Sequence, residues 1–119
     1  LDNNHLGWSM TMAPVIMGNP DRKELGEELA NSFCRTNPEI AKQFARTTFL
    51  SDSRDIISGV NIPTLILQCA NDVIAPVEVG EYIHQKIRGS TLVYMEATGH
   101  CPNLSAPEET IHEIRKFLD

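Results

Sequence analysis

Two titratable residues of the second half, Asp72 in "QCANDVIAP" and His100 in "EATGHCPNL", each stand just past a strand-like apolar run. A carboxylate that accepts from an imidazole N–H fixes the ring tautomer and stabilises the imidazolium, and the imidazole can then take a proton from a nucleophile. Asp72 comes three residues after Cys69, the end of "PTLILQC", and His100 five after Met95 in "STLVYME". In open parallel sheets, ligands and reactions collect outside the carboxyl ends of the strands, where both residues would sit. Each has an ordinary alternative: an aspartate at a strand end often caps the next helix, and a histidine between glycine and cysteine can be a hydrogen-bonded turn residue. Their order and spacing together predict a relay, with Asp72 as orienting acid and His100 as base.

Other chemistry fits less well. His5, His84 and His112 fall on helical stretches with no second ligand at i+4, and Cys101, next to His100, would point elsewhere, so no metal site is expected. The three cysteines, Cys34, Cys69 and Cys101, share no C-x-x-C spacing; Cys34 and Cys69 read as small core residues, and a reducing cytoplasm is the expected location. No cofactor is implied. The formal charge of −6, from 10 Lys+Arg against scattered Asp+Glu, argues against a nucleic-acid or anionic-membrane surface. No apolar run approaches the roughly 20 residues that span a bilayer. The opening "LDNNHLGW" lacks the charged and apolar regions of a signal peptide. Because the chain starts at Leu1 rather than methionine, a fragment or processed chain is expected.

The elements that position the pair can be read from periodicity. Residues 4 to about 58 read as helical: "HLGWSMTMAPVIMG" stops at Gly18, and "NPDRKELGEELANSFC" has Pro20 near a first helical position and Leu25, Leu29 and Phe33 four apart. In "NPEIAKQFARTTFL", Asn37 is the expected N-cap and Pro38 the first helical residue, and "SDSRDIISGV" is a short helical turn ending at Gly59. Beyond it, "PTLILQC" is a continuous apolar run, as in a parallel strand covered on both faces. "APVEVGEYIHQKI" predicts an amphipathic helix with Tyr82, Ile83 and Ile87 inward, and "STLVYME" a second strand. In "SAPEETIHEIRKFL", Ser105 and Glu108 match a capping box, with Ile111, Ile114 and Leu118 at helical spacing. Two strands are too few for an independent sheet, so an N-terminal half or a second copy is expected to complete it.

These strings resemble the C-terminal half of an α/β-hydrolase, whose triad runs Ser…Asp…His in chain order. "PTLILQCANDVIAP" resembles its strand and acid loop, and "GHCPNLSAPEET" its histidine loop and closing helix. "NPDRKELGEELANSFCRTNPEIAKQFARTTFLSDSRDII" resembles the helical lid of the RsbQ-type hydrolases of sigma-B stress signalling, to which the karrikin and strigolactone receptor hydrolases are related. The resemblance implies an α/β fold in which a lid over residues 1–59 precedes a βαβα part of the core over 60–119, that is, two parallel strands and two helices. It assigns Asp72 and His100 to the triad and a lid-roofed apolar pocket to candidates Trp8, Met12, Phe33, Phe44 and Phe49, for which ordinary helix packing is the alternative. The family's G-x-S-x-G-like elbow has no counterpart in these residues. The implied parent is a serine hydrolase of a small hydrophobic ester and a positive regulator of stress signalling acting with a partner phosphatase. The alternatives are a non-catalytic fragment and a ligand-sensing protein without significant turnover.

Overall fold

A computed structural model describes residues 4–119; Leu1, Asp2 and Asn3, the start of the segment assigned to the lid, lie outside the described residues. Four helices, α1 (His5–Met17), α2 (Lys23–Arg35), α3 (Pro38–Leu50) and α4 (Arg54–Ile57), precede a strand-helix-strand run of β1 (Leu65–Ala70), α5 (Val77–Lys86) and β2 (Thr91–Thr98). Helices α6 (Pro102–Ser105) and α7 (Pro107–Leu118) close the chain. The chain forms two compact units, one ending at Asp52 and the other running Ser53–Asp119.

In the first unit α1 and α2 pack as a hairpin. Ser9, Ala13 and Met17, one turn apart on α1, are buried, as are Gly26 and Ala30 on α2. These residues are mostly small, and a Cβ on Gly26 would stand 3.3 Å from the Cα of Pro14, so the two backbones nearly touch. His5 Nε2 is 2.8 Å from the carbonyl of Phe33; since that oxygen can only accept, the ring donates there. Helix α2 starts at Lys23, later than the proline signal at Pro20 suggests. Gly18 and Asn19 both adopt positive φ, and Pro20 belongs to the resulting turn. Asn37 caps α3 as expected, its Oδ1 accepting from the N–H groups of Glu39 and Ile40 with Pro38 at N1.

In the second unit β1 and β2 pair in parallel, from Leu65 opposite Thr91 to Cys69 opposite Met95. The register then jumps: Ala70 pairs with Thr98, so Glu96 and Ala97 are extra residues on β2. Helix α5 turns Gly80, Ile83 and Ile87 inward. Tyr82 does not join them; it lies on the outer side with Lys86 Nζ 5.4 Å from its ring centre, because the inward stripe at i, i+3 and i+7 begins at Gly80. A Cβ on Gly80 would collide with the end of the Gln68 side chain, which would have to move, so α5 approaches β1 closely at this glycine.

The expected capping box does not form. Ser105 is the last residue of α6, Ala106 (φ −145°) interrupts the helix, and α7 starts at Pro107 with no side-chain cap. Proline disfavours a helical conformation for the residue before it, which splits the run. The stripe Ile111, Ile114 and Leu118 is 40–74% exposed, since two strands offer α7 little surface to cover. For the same reason Leu65, Ile66 and Leu67, expected to be covered on both faces, are only half-buried. Among the described residues no helix is long and apolar enough to cross a membrane.

Candidate functional site

Each member of the Asp72–His100 pair comes directly after a residue in the left-handed region. Asn71, with φ 50°, turns the chain out of β1, and Gly99, with φ 83°, turns it out of β2. Asparagine tolerates this conformation and glycine adopts it freely. The Gly99 N–H donates to the Ala70 carbonyl at 3.0 Å, so the two turns are joined by their backbones.

Asp72 fills both of its oxygens. Oδ1 accepts from the N–H groups of Ile74 and Ala75, both at 2.9 Å, which closes the acid loop into a turn. Oδ2 faces His100 Nδ1 at 2.8 Å. A carboxylate oxygen only accepts, so the proton is on Nδ1 and the neutral ring keeps Nε2 as an acceptor. The Asp72 side chain is 7% exposed and that of His100 41%, so the carboxylate is sheltered while the imidazole stays open at the surface. Burial pushes the Asp72 carboxyl up, but hydrogen bonds from Ala75, His100 and Ile74, with the His100 charge, outweigh it and hold the group below its ordinary value. Oδ1 closes the loop without capping α5, whose N-cap is Pro76 with no side-chain cap bond.

The thiols beside the pair are both pushed up from the ordinary thiol value. Burial raises Cys69, with Asp72, Glu109 and Cys101 adding to the effect, and burial together with Asp72 raises Cys101. Groups of three or more His, Cys, Asp or Glu placed to hold a metal ion do not occur among the described residues.

Two polar side chains outside the pair hold its loops. Gln68, 5% exposed on β1, donates from Nε2 to the carbonyl of Ala75 at 2.9 Å, bracing the acid loop from below. Glu109 of α7 accepts from the N–H of Glu96 at 2.7 Å and of Ala97 at 3.0 Å, the two extra residues of β2. Sequence reasoning passed over both. A glutamine inside the apolar run "LILQCA" was a visible signal for the first, whereas nothing in "PEE" separates Glu109 from Glu108.

The five pocket candidates all lie in the first unit. Trp8 and Phe33 meet, with ring centres 5.8 Å apart and planes tilted by 31°, and Met12 is half-buried on α1. Phe44 and Phe49 on α3 are both 71% exposed. A groove of about 380 Å³ in this unit is lined by residues of α1 and α2 and the turn between them, among them Met10, Pro14, Arg22 and Ala30, and by none of the five.

Residues 24–119 match the family described as TAP-like protein, of the α/β-hydrolase type. The chain is 37% identical to the Karrikin insensitive 2 receptor IA of Petunia hybrida and 33% identical to the Strigolactone esterase RMS3 of Pisum sativum, in each case over 99% of its length. It spans 43% and 44% of those two proteins. A hydrolase from Oleispira antarctica superposes with a TM-score of 0.91 at 39% identity, over 99% of this chain and 44% of that one. An enol-lactonase from Burkholderia xenovorans LB400 shares the fold with a TM-score of 0.88 at 18% identity, over 98% of this chain and 45% of its own. The two parallel strands and their helices are those of this fold, and the chain belongs to the α/β-hydrolases as a C-terminal portion of that architecture.

Proposed function

We propose that Asp72 and His100 are the acid and base of a serine esterase that acts on a small hydrophobic ester. The observation that carries this is the 2.8 Å contact between His100 Nδ1 and the sheltered Asp72 carboxylate, which leaves Nε2 as the basic atom. In the proposed cycle Nε2 takes the hydroxyl proton as the serine oxygen bonds to the ester carbonyl carbon. It then gives that proton to the departing alkoxide as the acyl–oxygen bond breaks. Water, deprotonated by the same nitrogen, releases the acid and restores the serine. The proposal assigns the attacking serine and its oxyanion hole to the part of the fold outside these 119 residues, which hold no G-x-S-x-G string. The test is turnover of a short-chain aryl ester by the intact protein: His100→Ala should abolish it, and unchanged turnover would overturn the assignment.

A narrower reading makes the parent an RsbQ-type positive regulator of sigma-B stress signalling, cytoplasmic and working with a partner phosphatase. Its support is the strings "SFCRTNP" and "GHCPNLSAPEET". In this reading residues 1–59 are the helical lid segment. A ligand-sensing role without significant turnover is the second reading, favoured by relatives whose names include receptors as well as esterases. Substitutions at Arg22, Lys23 and Glu27 distinguish partner docking from catalysis: loss of the stress response with hydrolysis intact supports docking through the lid, and an intact response in every variant removes it.

A further inference from the structure

The sequence places Glu109 at the third position of α7, where a capping-box glutamate would turn back to the N-cap N–H. It does something else. The N-cap is Ala106, and the Glu109 carboxylate reaches across to β2, one oxygen on the Glu96 N–H at 2.7 Å and the other on the Ala97 N–H at 3.0 Å. Those are the residues at which the ladder breaks, between the Cys69–Met95 pair and the Ala70–Thr98 pair. Extra residues in a strand leave backbone groups without ladder partners, and of the two here the Ala97 N–H is part-buried, where an unpaired donor is costly. The carboxylate supplies acceptors for both, and the positive end of α7 favours a negative group in its first turn.

The displaced stretch sets the position of the histidine turn. With two extra residues on β2, Thr98 comes level with Ala70, the Gly99 N–H meets the Ala70 carbonyl, and His100 reaches Asp72. Without them every later residue of β2 would shift along β1, and His100 would no longer stand opposite the acid loop. Strand bulges beside active sites commonly re-aim a side chain in this way. We propose that Glu109 is a positioning residue for His100, acting through the bulge at Glu96 and Ala97 to set the imidazole against Asp72. The proposal rests on the reading of Asp72 and His100 as the catalytic pair.

The experiment compares Glu109→Ala, Glu109→Gln and the neighbouring exposed Glu108→Ala in the intact protein that carries the serine, with labelled histidine and amide nitrogens. The readouts are amide exchange at Glu96 and Ala97, the low-field proton resonance of a carboxylate-bonded His100 Nδ1–H, and ester turnover. For Glu109→Ala we expect exchange at the two amides to rise at least about tenfold and the low-field resonance to be lost, while Leu67 and Val93 stay protected. The drop in kcat should be roughly 10- to 100-fold with KM changed less than about twofold, as for a misplacement of about an ångström. Glu109→Gln keeps one acceptor oxygen and should fall between, which also serves if the alanine variant fails to fold; Glu108→Ala should match the unmodified protein. Retention of the His100 resonance after the two amides lose protection would overturn the proposal. Loss of the resonance in a protein that shows no turnover even unmodified would uphold Glu109 and remove the esterase reading instead.

Discussion

Ala70 and Gly99 are joined by one backbone hydrogen bond of 3.0 Å, and Asp72 and His100, one or two positions further along each loop, meet at 2.8 Å. The ladder thus continues past the end of its regular register and holds two loops together. Each group in this arrangement can be perturbed on its own.

Asp72→Asn should leave the loop folded yet reduce ester turnover of the intact protein by about 10³- to 10⁴-fold, because an amide can present its N–H to Nδ1 and stabilise the wrong tautomer. Steady-state kinetics with an aryl ester read it directly. A loss below tenfold would mean that tautomer control by Asp72 is not part of the mechanism.

Acid should erase part of what Asp72 contributes to stability. Its folded carboxyl is held below the ordinary value by the N–H of Ala75, by His100 and by the N–H of Ile74, against the opposing effect of burial. A depressed carboxyl stabilises the fold fully above the unfolded value, about 3.9, and the contribution disappears as pH falls through the lower folded value. The stability difference between the protein and Asp72→Asn, from urea unfolding, should therefore narrow between pH 5 and pH 3. A difference that holds constant across that range would contradict the shift.

Gly99→Ala should cost about 1–2 kcal/mol, since φ of 83° strains any side-chain-bearing residue. The loss should appear in the urea midpoint and in the His100 Nδ1 proton signal together. Stability lost with that signal unmoved would show that the turn does not aim the ring.

Gln68→Leu keeps the volume but removes the donor to the Ala75 carbonyl, and should cost about 1–3 kcal/mol for the stranded group. Because Ala75 donates to Asp72 Oδ1, turnover should fall as well. Full activity at reduced stability would confine Gln68 to a packing role.

Asn37→Ala removes the acceptor for two N–H groups at the start of α3 and should cost about 1 kcal/mol. The loss should appear in the urea midpoint, and an unmoved midpoint would mean that the cap adds nothing to stability.

Much of this architecture was legible from residue order alone. The apolar runs, the proline and glycine stops, the Asn37 cap and the places of Asp72 and His100 at successive strand ends are local properties, carried by side-chain type and spacing over a few residues. Even the family can be read from such strings, because loops that deliver a carboxylate and an imidazole leave short-range signatures. What escaped was of another kind. Ser105 and Glu108 match a capping box on paper, but Pro107 breaks the helix between them, so the cap depends on which residue backbone sterics admit to the helix. Tyr82 looked inward, and the apolar stripe on α7 is largely exposed, because periodicity names a helix face without saying how much surface lies opposite. The jump in register pairs Ala70 with Thr98, 28 residues on, and the Glu109 carboxylate satisfies displaced N–H groups twelve and thirteen residues away. Only the tertiary structure decided those, since strand register and long-range hydrogen bonds are settled by the packing of whole elements and not by any local preference.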